Sequence, residues 1–260
     1  MTEGRKYQEA KFHDTLRDEK LKGSSSDFER LTSNYKFYSI TRRSQNFVDN
    51  FLIKNCSGRR VLDYCCGDGQ NTVFLAENGA DAFGIDISPV SIENAKTEAE
   101  KKGLKNASFF VMDAEKLKFG DDFFDLIICS GVLHHLNIEK AYQELFRVIK
   151  QGGKIICDEP LAYNPIFQLY RKITPQLRTK WEAKHILKKK DIKLAKKYFG
   201  KVEKRFFHLF VLLAVPFRSV PFVFNLLLTF LGFIDSLILR LPLVKWWAWQ
   251  IVFILSRPKK

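Results

Sequence analysis

The chain has 260 residues, 46% of them hydrophobic and 28% charged. That is long enough to bury a sizeable core without disulfide or metal staples, and too apolar for a mainly disordered protein. The net charge of +14 is unevenly placed: residues 1–146 carry 20 basic and 23 acidic side chains, residues 147–205 carry 17 and 5, and residues 206–260 carry 6 and 1. A strongly basic segment followed by an apolar one suits a membrane surface of anionic lipids. It is a poor match to a nucleic-acid face, which interleaves basic with exposed polar and aromatic groups, so no nucleic-acid partner is expected. From charge alone, a solvated helix face accounts for Lys188–Lys190 and Lys196–Lys197 about equally well.

The cysteines Cys56, Cys65, Cys66, Cys129 and Cys157 form no CxxC pair and no Cys/His cluster with zinc spacing. No metal is expected, and the thiols read as reduced. Residues 1–22 are charged throughout and lack the apolar stretch of a secretory signal, which leads to a cytoplasmic expectation.

In chain order, residues 1–30 read as partly helical, with a loop at Gly23–Ser26, and Tyr35 to Lys54 as a further helix. Strand and helix signals then alternate. Strands are predicted at 59–64, 81–87, 107–112, 125–130 and 154–158. Helices are predicted at 71–78, 89–102 and 138–149, with Gly152-Gly153 closing the last. Continuous apolar strands alternating with helices predict a parallel, doubly wound α/β sheet, with ligands at the carboxyl ends of its strands. Residues 200–210 and 249–256 read as two more strands, and 222–239 as a helix that is apolar nearly all round.

The first strand ends in Asp63-Tyr64-Cys65-Cys66-Gly67-Asp68-Gly69, which does not match the dinucleotide pattern G-x-G-x-x-G. Two carboxylates beside that turn repel a pyrophosphate and attract a cation, such as the sulfonium and amino group of S-adenosylmethionine. Gly67 and Gly69 allow close backbone approach. Asp86, 23 residues on, ends the second strand, where it suits two ribose hydroxyls; Asp113 ends the third, within reach of an adenine amino group. The competing explanation is that these acids merely cap the following helices.

With these residues the chain resembles class I S-adenosylmethionine-dependent methyltransferases of the broad group that includes the quinone-biosynthesis enzymes. The matching stretches are VLDYCCGDGQNT, GIDIS, VMDAEKL, FDLIICSGVLHHL and RVIKQGGKI, covering about residues 55–160. The resemblance implies a Rossmann-like, mostly parallel seven-stranded sheet of order 3-2-1-4-5-7-6. It implies S-adenosylmethionine as cofactor, held by Asp63, Cys65, Gly67, Gly69, Asp86, Ile87, Asp113, Ala114 and Ser130. One departure is Cys65, where the family usually has Gly. The implied division is a helical extension (1–54), the cofactor-binding core with a substrate cap at 159–187 (55–210), an apolar insertion (211–246), and a last strand with basic tail (247–260).

The acceptor is less well defined. The fourth strand ends in Cys-Ser-Gly and not in Asn/Asp-Pro-Pro-Tyr/Phe, which argues against planar amide or adenine nitrogens. His134 and His135 stand where a general base for an oxygen acceptor would sit, and Glu159 ends the fifth strand beside them. Packing or capping of the next helix explains the histidines as well. Tyr35, Tyr38, Asn164, Arg171, Arg178 and His185 are candidate substrate contacts, the arginines suiting a phosphate or carboxylate; an internal ion-pair network is the alternative. The insertion is too short for two bilayer crossings, and a single crossing would split one sheet across the membrane. A monotopic element dipping into one leaflet, on the cytoplasmic face, is therefore expected, with 211–246 and the basic stretch 171–205 meeting lipid. The functional expectation is a membrane-associated methyltransferase for an amphipathic or lipid-like acceptor, with oxygen favoured as the atom methylated. Two alternatives stay open: a soluble small-molecule enzyme using the insertion as a homodimer face, and a non-catalytic cofactor-binding scaffold at the membrane.

Overall fold

The structure is a computed structural model describing residues 2–17, 33–177, 179 and 181–260. Five strands alternate with helices in the order the sequence predicts: β1 (Arg60–Tyr64), β2 (Asp81–Asp86), β3 (Ala107–Val111), β4 (Phe124–Ser130) and β5 (Ile149–Pro160). With β6 (Phe199–Phe207) and β7 (Gln250–Pro258) they form one seven-stranded sheet of order 3-2-1-4-5-7-6. The first five strands pair in parallel, and β7 runs antiparallel between β5 and β6.

The inner strands β1, β4 and β5 carry buried apolar residues on both sides because both faces of the sheet are covered there, whereas the edge strand β6 is largely exposed and charged. Leu62, Ile127, Cys129, Ile155 and Cys157 point into one core cluster with Tyr142 and Leu145 of α5 (Ile138–Val148, numbered in chain order below). Their neighbours Val61, Leu126, Ile128 and Ile156 point the other way, onto Val48, Leu52 and Cys56. The helices are α1 (Thr2–Arg17), α2 (Arg42–Cys56), α3 (Gln70–Glu77), α4 (Pro89–Lys101), α5, α6 (Pro165–Ile173), the short α7 (Glu182–His185) and α8 (Lys189–Leu194), and α9 (Pro221–Ile238). Ser88, Asn137 and Asn164 start α4, α5 and α6 by accepting a hydrogen bond from a backbone N–H three residues on.

Four predicted boundaries differ from the observed ones. The expected helix from Tyr35 is a 3-10 run, Ser33–Ile40, that breaks before α2, where both the backbone N–H and the hydroxyl of Thr41 donate to the Tyr38 carbonyl. Gly152-Gly153 lies within β5 at a register irregularity against β4, where a side chain on Gly153 would meet Ile149. The strand expected through Phe210 ends at Phe207, because His208 turns into the left-handed region (φ 66°) and buries its ring against the Ser44 hydroxyl. The last strand begins at Gln250 and continues to Pro258. The Gly23–Ser26 loop lies outside the described residues.

Helix α9 lies between β6 and β7 and has two unlike faces. Phe224, Leu228 and Leu231 pack on a cluster formed by Val211, Leu212, Val215, Phe167 and Trp249. Buried Asp235 is on the same side and accepts hydrogen bonds from the backbone N–H groups of Leu209, Phe210 and Val211. Arg43 of α2 donates to the Gly232 carbonyl. The other face is apolar and open to solvent: Phe222 is 81% exposed, Leu226 60%, Phe230 59% and Phe233 61%. These contacts bind the helix along the body of the domain. Its 18 residues span about 27 Å, slightly less than a hydrocarbon core.

Asp235→Ala leaves three N–H groups without their charged acceptor. It should lower unfolding stability by about 1.5–3 kcal/mol, read as a lower denaturant midpoint, while a substitution on the exposed face such as Phe230→Ala should change it far less.

Candidate active site

A cavity of about 660 Å³ opens at the carboxyl ends of β1, β2, β4 and β5, beneath α1, the 33–40 turn and α6. Its floor is the loop after β1. Asp63 is buried below this loop and accepts a hydrogen bond from the Thr72 hydroxyl at 2.7 Å. Burial raises its carboxyl to about pKa 6, against the bonds that Thr72 and Asn71 donate. Cys65 adopts φ 62°, a left-handed conformation that costs a residue with a Cβ roughly 1 kcal/mol or more, at the position where the family usually has Gly. Gly67 faces the cavity: a Cβ there would meet the Arg17 guanidinium. Gly69 serves packing, since its Cβ would collide with Ala95 and Phe109.

Asp86 joins two loops. One oxygen accepts the Gly67 N–H at 3.0 Å and the other the Ser88 N–H at 2.9 Å. Ser88 and not Asp86 caps α4. Asp113 accepts the Glu115 N–H through one oxygen and the Lys6 ammonium through the other. These acids attract cations, as α1 demonstrates within the chain. Lys6 pairs with Asp113, Arg17 lies 3.9 Å from Asp86 and 3.7 Å from Asp68, and Arg5 pairs with Glu115. This acidic, Gly-lined floor fits a ligand carrying positive charge, hydroxyls and an amino group.

The far wall comes from the ends of β4 and β5. Glu159 is fully buried; one oxygen accepts the N–H groups of Val132 and Leu133, and the other faces Nδ1 of His134 at 2.8 Å. Burial drives this pair toward neutrality, pushing the carboxyl up and the imidazole down. His134 is therefore a weak base, and its orientation is set by Glu159. For His135, burial opposes the imidazolium, but the hydrogen bond and charge of Glu9 outweigh it and raise the pKa. The neighbouring Asp158 has a buried oxygen, Oδ1, with no partner among the described residues; burial and then the charge of Glu159 push it up to about pKa 7. At the opposite end the cavity is aromatic, with Phe37, Phe167, Tyr170 and Trp249 packed ring on ring.

Of the predicted residues, Cys65, Gly67, Asp86, Ile87, Asp113, Ala114, Ser130, His134, His135, Tyr38 and Arg171 line this cavity. Asp63, Gly69 and Glu159 stand behind its wall. Asn164 is committed to capping α6 and donates to the Trp247 carbonyl. His185 is exposed and stacks on Trp181. The side chain of Tyr35 and all of Arg178 lie outside the described residues. The aromatic end and the α1 residues over the floor were missing from the predicted site. No periodic pattern marks them, because the polar α1 reaches the acids only through the fold.

Residues 55–204 match the model of a methyltransferase domain, and the chain belongs to that family. Its cofactor is S-adenosylmethionine. An uncharacterized methyltransferase of Synechocystis is 38% identical over 37% of this chain and 44% of its own length. A demethylmenaquinone methyltransferase of Thermus thermophilus is 36% identical over 51% and 60%. A ubiquinone/menaquinone biosynthesis C-methyltransferase of Zymomonas mobilis is 29% identical over 57% and 64%. The chain thus spans about half the length of the curated relatives it matches. Among solved structures, a Pyrococcus horikoshii protein superimposes with TM-score 0.57 at 19% identity, over 86% of this chain and 91% of that one. The [4+2]-cyclase SpnF does so with TM-score 0.55 at 17% identity, over 88% and 94%. At such identities the likeness shows the fold alone.

Imidazole titration by NMR checks the wall electrostatics. The ring of His134 should stay neutral from pH 8 down to pH 5. That of His135 should gain its proton above the ordinary 6.5, and Glu9→Gln should lower that midpoint by removing the paired charge.

Proposed function

We propose that this chain is an S-adenosylmethionine-dependent methyltransferase that works at a membrane surface on an amphipathic acceptor. The observation that carries the reading is one cavity with an acidic, Gly-lined floor at one end and an aromatic wall at the other. The elements bounding that wall turn apolar side chains outward, Ile166, Leu169 and Ile173 on α6 and the open face of α9, while their inner faces share one core cluster.

Bound S-adenosylmethionine supplies an electrophilic methyl group on a sulfonium. The chain's own residues provide position and proton control. Asp86 binds the ribose hydroxyls, Asp113 and Ala114 border the adenine, and the Cys65–Gly67 turn, braced by Asp63, holds the amino-acid part. Binding there requires Lys6 and Arg17 to give up their present partners. The aromatic end holds the acceptor's ring or chain and leaves its polar head toward Ser130, His134 and Asp158. In-line displacement depends chiefly on such alignment. An oxygen acceptor must also lose a proton. Asp158 and the Glu159–His134 pair are groups in this wall able to take it near neutral pH.

The exposed face of α9 and the basic residues around it favour an anionic bilayer as the surface engaged. The relatives' names include enzymes of quinone biosynthesis, which accords with an acceptor that is polar at one end and apolar at the other.

Asp86→Ala should weaken S-adenosylmethionine binding at least about tenfold by calorimetry while the protein still unfolds cooperatively, at a lower temperature because the Gly67 and Ser88 N–H groups lose their acceptor; unchanged affinity would remove the ribose assignment. Methyl transfer should fall as pH drops below about 7, since the acceptor's proton needs an ionised carboxyl at Asp158 or Glu159. A flat rate from pH 5.5 to 8.5 would contradict this. The protein should sediment with anionic liposomes and lose this when Phe222, Phe230 and Phe233 are changed together to Ser. A stable soluble dimer whose interface is lost in the same variant would instead support the dimer-face alternative.

A further inference from the structure

Three side chains not used in the cofactor chemistry above meet at one edge of the cavity. Glu9 and His13 lie one turn apart on α1, and His135 comes from the turn after β4. Glu9 Oε2 is 3.0 Å from Nδ1 of His135 and 3.8 Å from Nε2 of His13. One donor atom from each of the three lies within 4.8 Å of the other two. The carboxylate of Glu9 is held in place, because its other oxygen accepts from the Thr179 hydroxyl. His13 contributes a second observation. The ring is not otherwise committed, since its Nδ1 is buried and has no hydrogen-bond partner among the described residues.

We propose that Glu9, His13 and His135 form a binding site for a first-row divalent metal ion, with Zn2+, Co2+ and Fe2+ as the fitting class. Two imidazoles and one carboxylate make up a donor set typical of such ions when coordination positions are left open for water or substrate. Bonds of about 2.0–2.2 Å bring ligand atoms to roughly 3.3 Å from one another, so only the His13 ring has to move appreciably. Arg5, which donates to the His135 carbonyl, adds positive charge beside the cluster. That charge opposes any dication, while a donor set with a single carboxylate disfavours Ca2+ and Mg2+, which need several oxygen ligands, and favours an ion that accepts imidazole. All three ligands line the cavity, so the open positions face the space assigned to the acceptor. The ion would also tie α1 to the end of β4. This site neither uses nor requires the methyl-transfer reading.

Cobalt is the direct probe. The full chain, stripped with a chelator, should take up one Co2+ with visible ligand-field absorption, and equimolar Zn2+ should displace it. Glu9→Gln and His13→Ala should each weaken Co2+ binding by at least about tenfold, and His185→Ala should not. Absence of a one-to-one absorbing complex, or affinity unchanged in both Glu9→Gln and His13→Ala, would overturn the proposal. S-adenosylmethionine affinity, measured on the same stripped samples, reports folding of the variants and tests the methyltransferase reading separately.

Discussion

The carboxylate of Asp86 is the constraint on which the site depends. It ends β2, yet one of its oxygens accepts the N–H of Gly67 in the loop after β1, while the other accepts that of Ser88 at the head of α4. Two loops that border the same cavity are thereby set by one side chain. The parallel pairing of β1 with β2 brings the loops together, and the left-handed turns at Cys65, Gly67 and Gly69 fold the first of them over the strand end. Asp63 supports the same loop from below, through Thr72. Without these acids the loop would present unpaired N–H groups to the cavity.

The core of this arrangement was legible in the sequence. Continuous apolar strands, helix starts at Pro89 and Ile138, and an acid at each of three strand ends are local signals, and they survive folding because each arises within a few residues. What was not legible is long-range. Glu159 reaches back 25 to 27 residues to orient His134 and to satisfy Val132 and Leu133. His13 and His135 are 122 residues apart, so no ligand spacing could mark them. The left-handed turn at His208 follows from its burial against Ser44, 164 residues away, and ends a strand whose alternation ran on to Phe210. Gly152-Gly153 looks like a helix stop and instead accommodates an irregularity inside β5, because the strand begins sooner than its composition suggests.

The same division applies to the apolar segment. Its hydrophobicity is evident from composition, but its two-faced character is not. Gly232 and Asp235 mark the side held by the domain, and Phe222, Leu226, Phe230 and Phe233 mark the side left open. A helix bound so tightly along the body, with both flanking strands in one sheet, is suited to lie on a bilayer and poorly suited to cross it. Helix α1 is different in kind. Polar contacts predominate between it and the cavity rim, and under the proposed function the carboxylates that hold Lys6 and Arg17 also serve an incoming cofactor. Its grip is therefore sensitive to salt and to ligand, whereas the grip on α9 rests on buried contacts.

The central claim is methyl transfer to an amphipathic acceptor. It is tested most directly by incubating the protein with methyl-labelled S-adenosylmethionine and cell extract, then separating organic from aqueous products, with Asp86→Ala alongside. The account predicts label in the organic fraction that is lost in the variant. Label confined to the aqueous fraction, or no transfer above the variant, would contradict it.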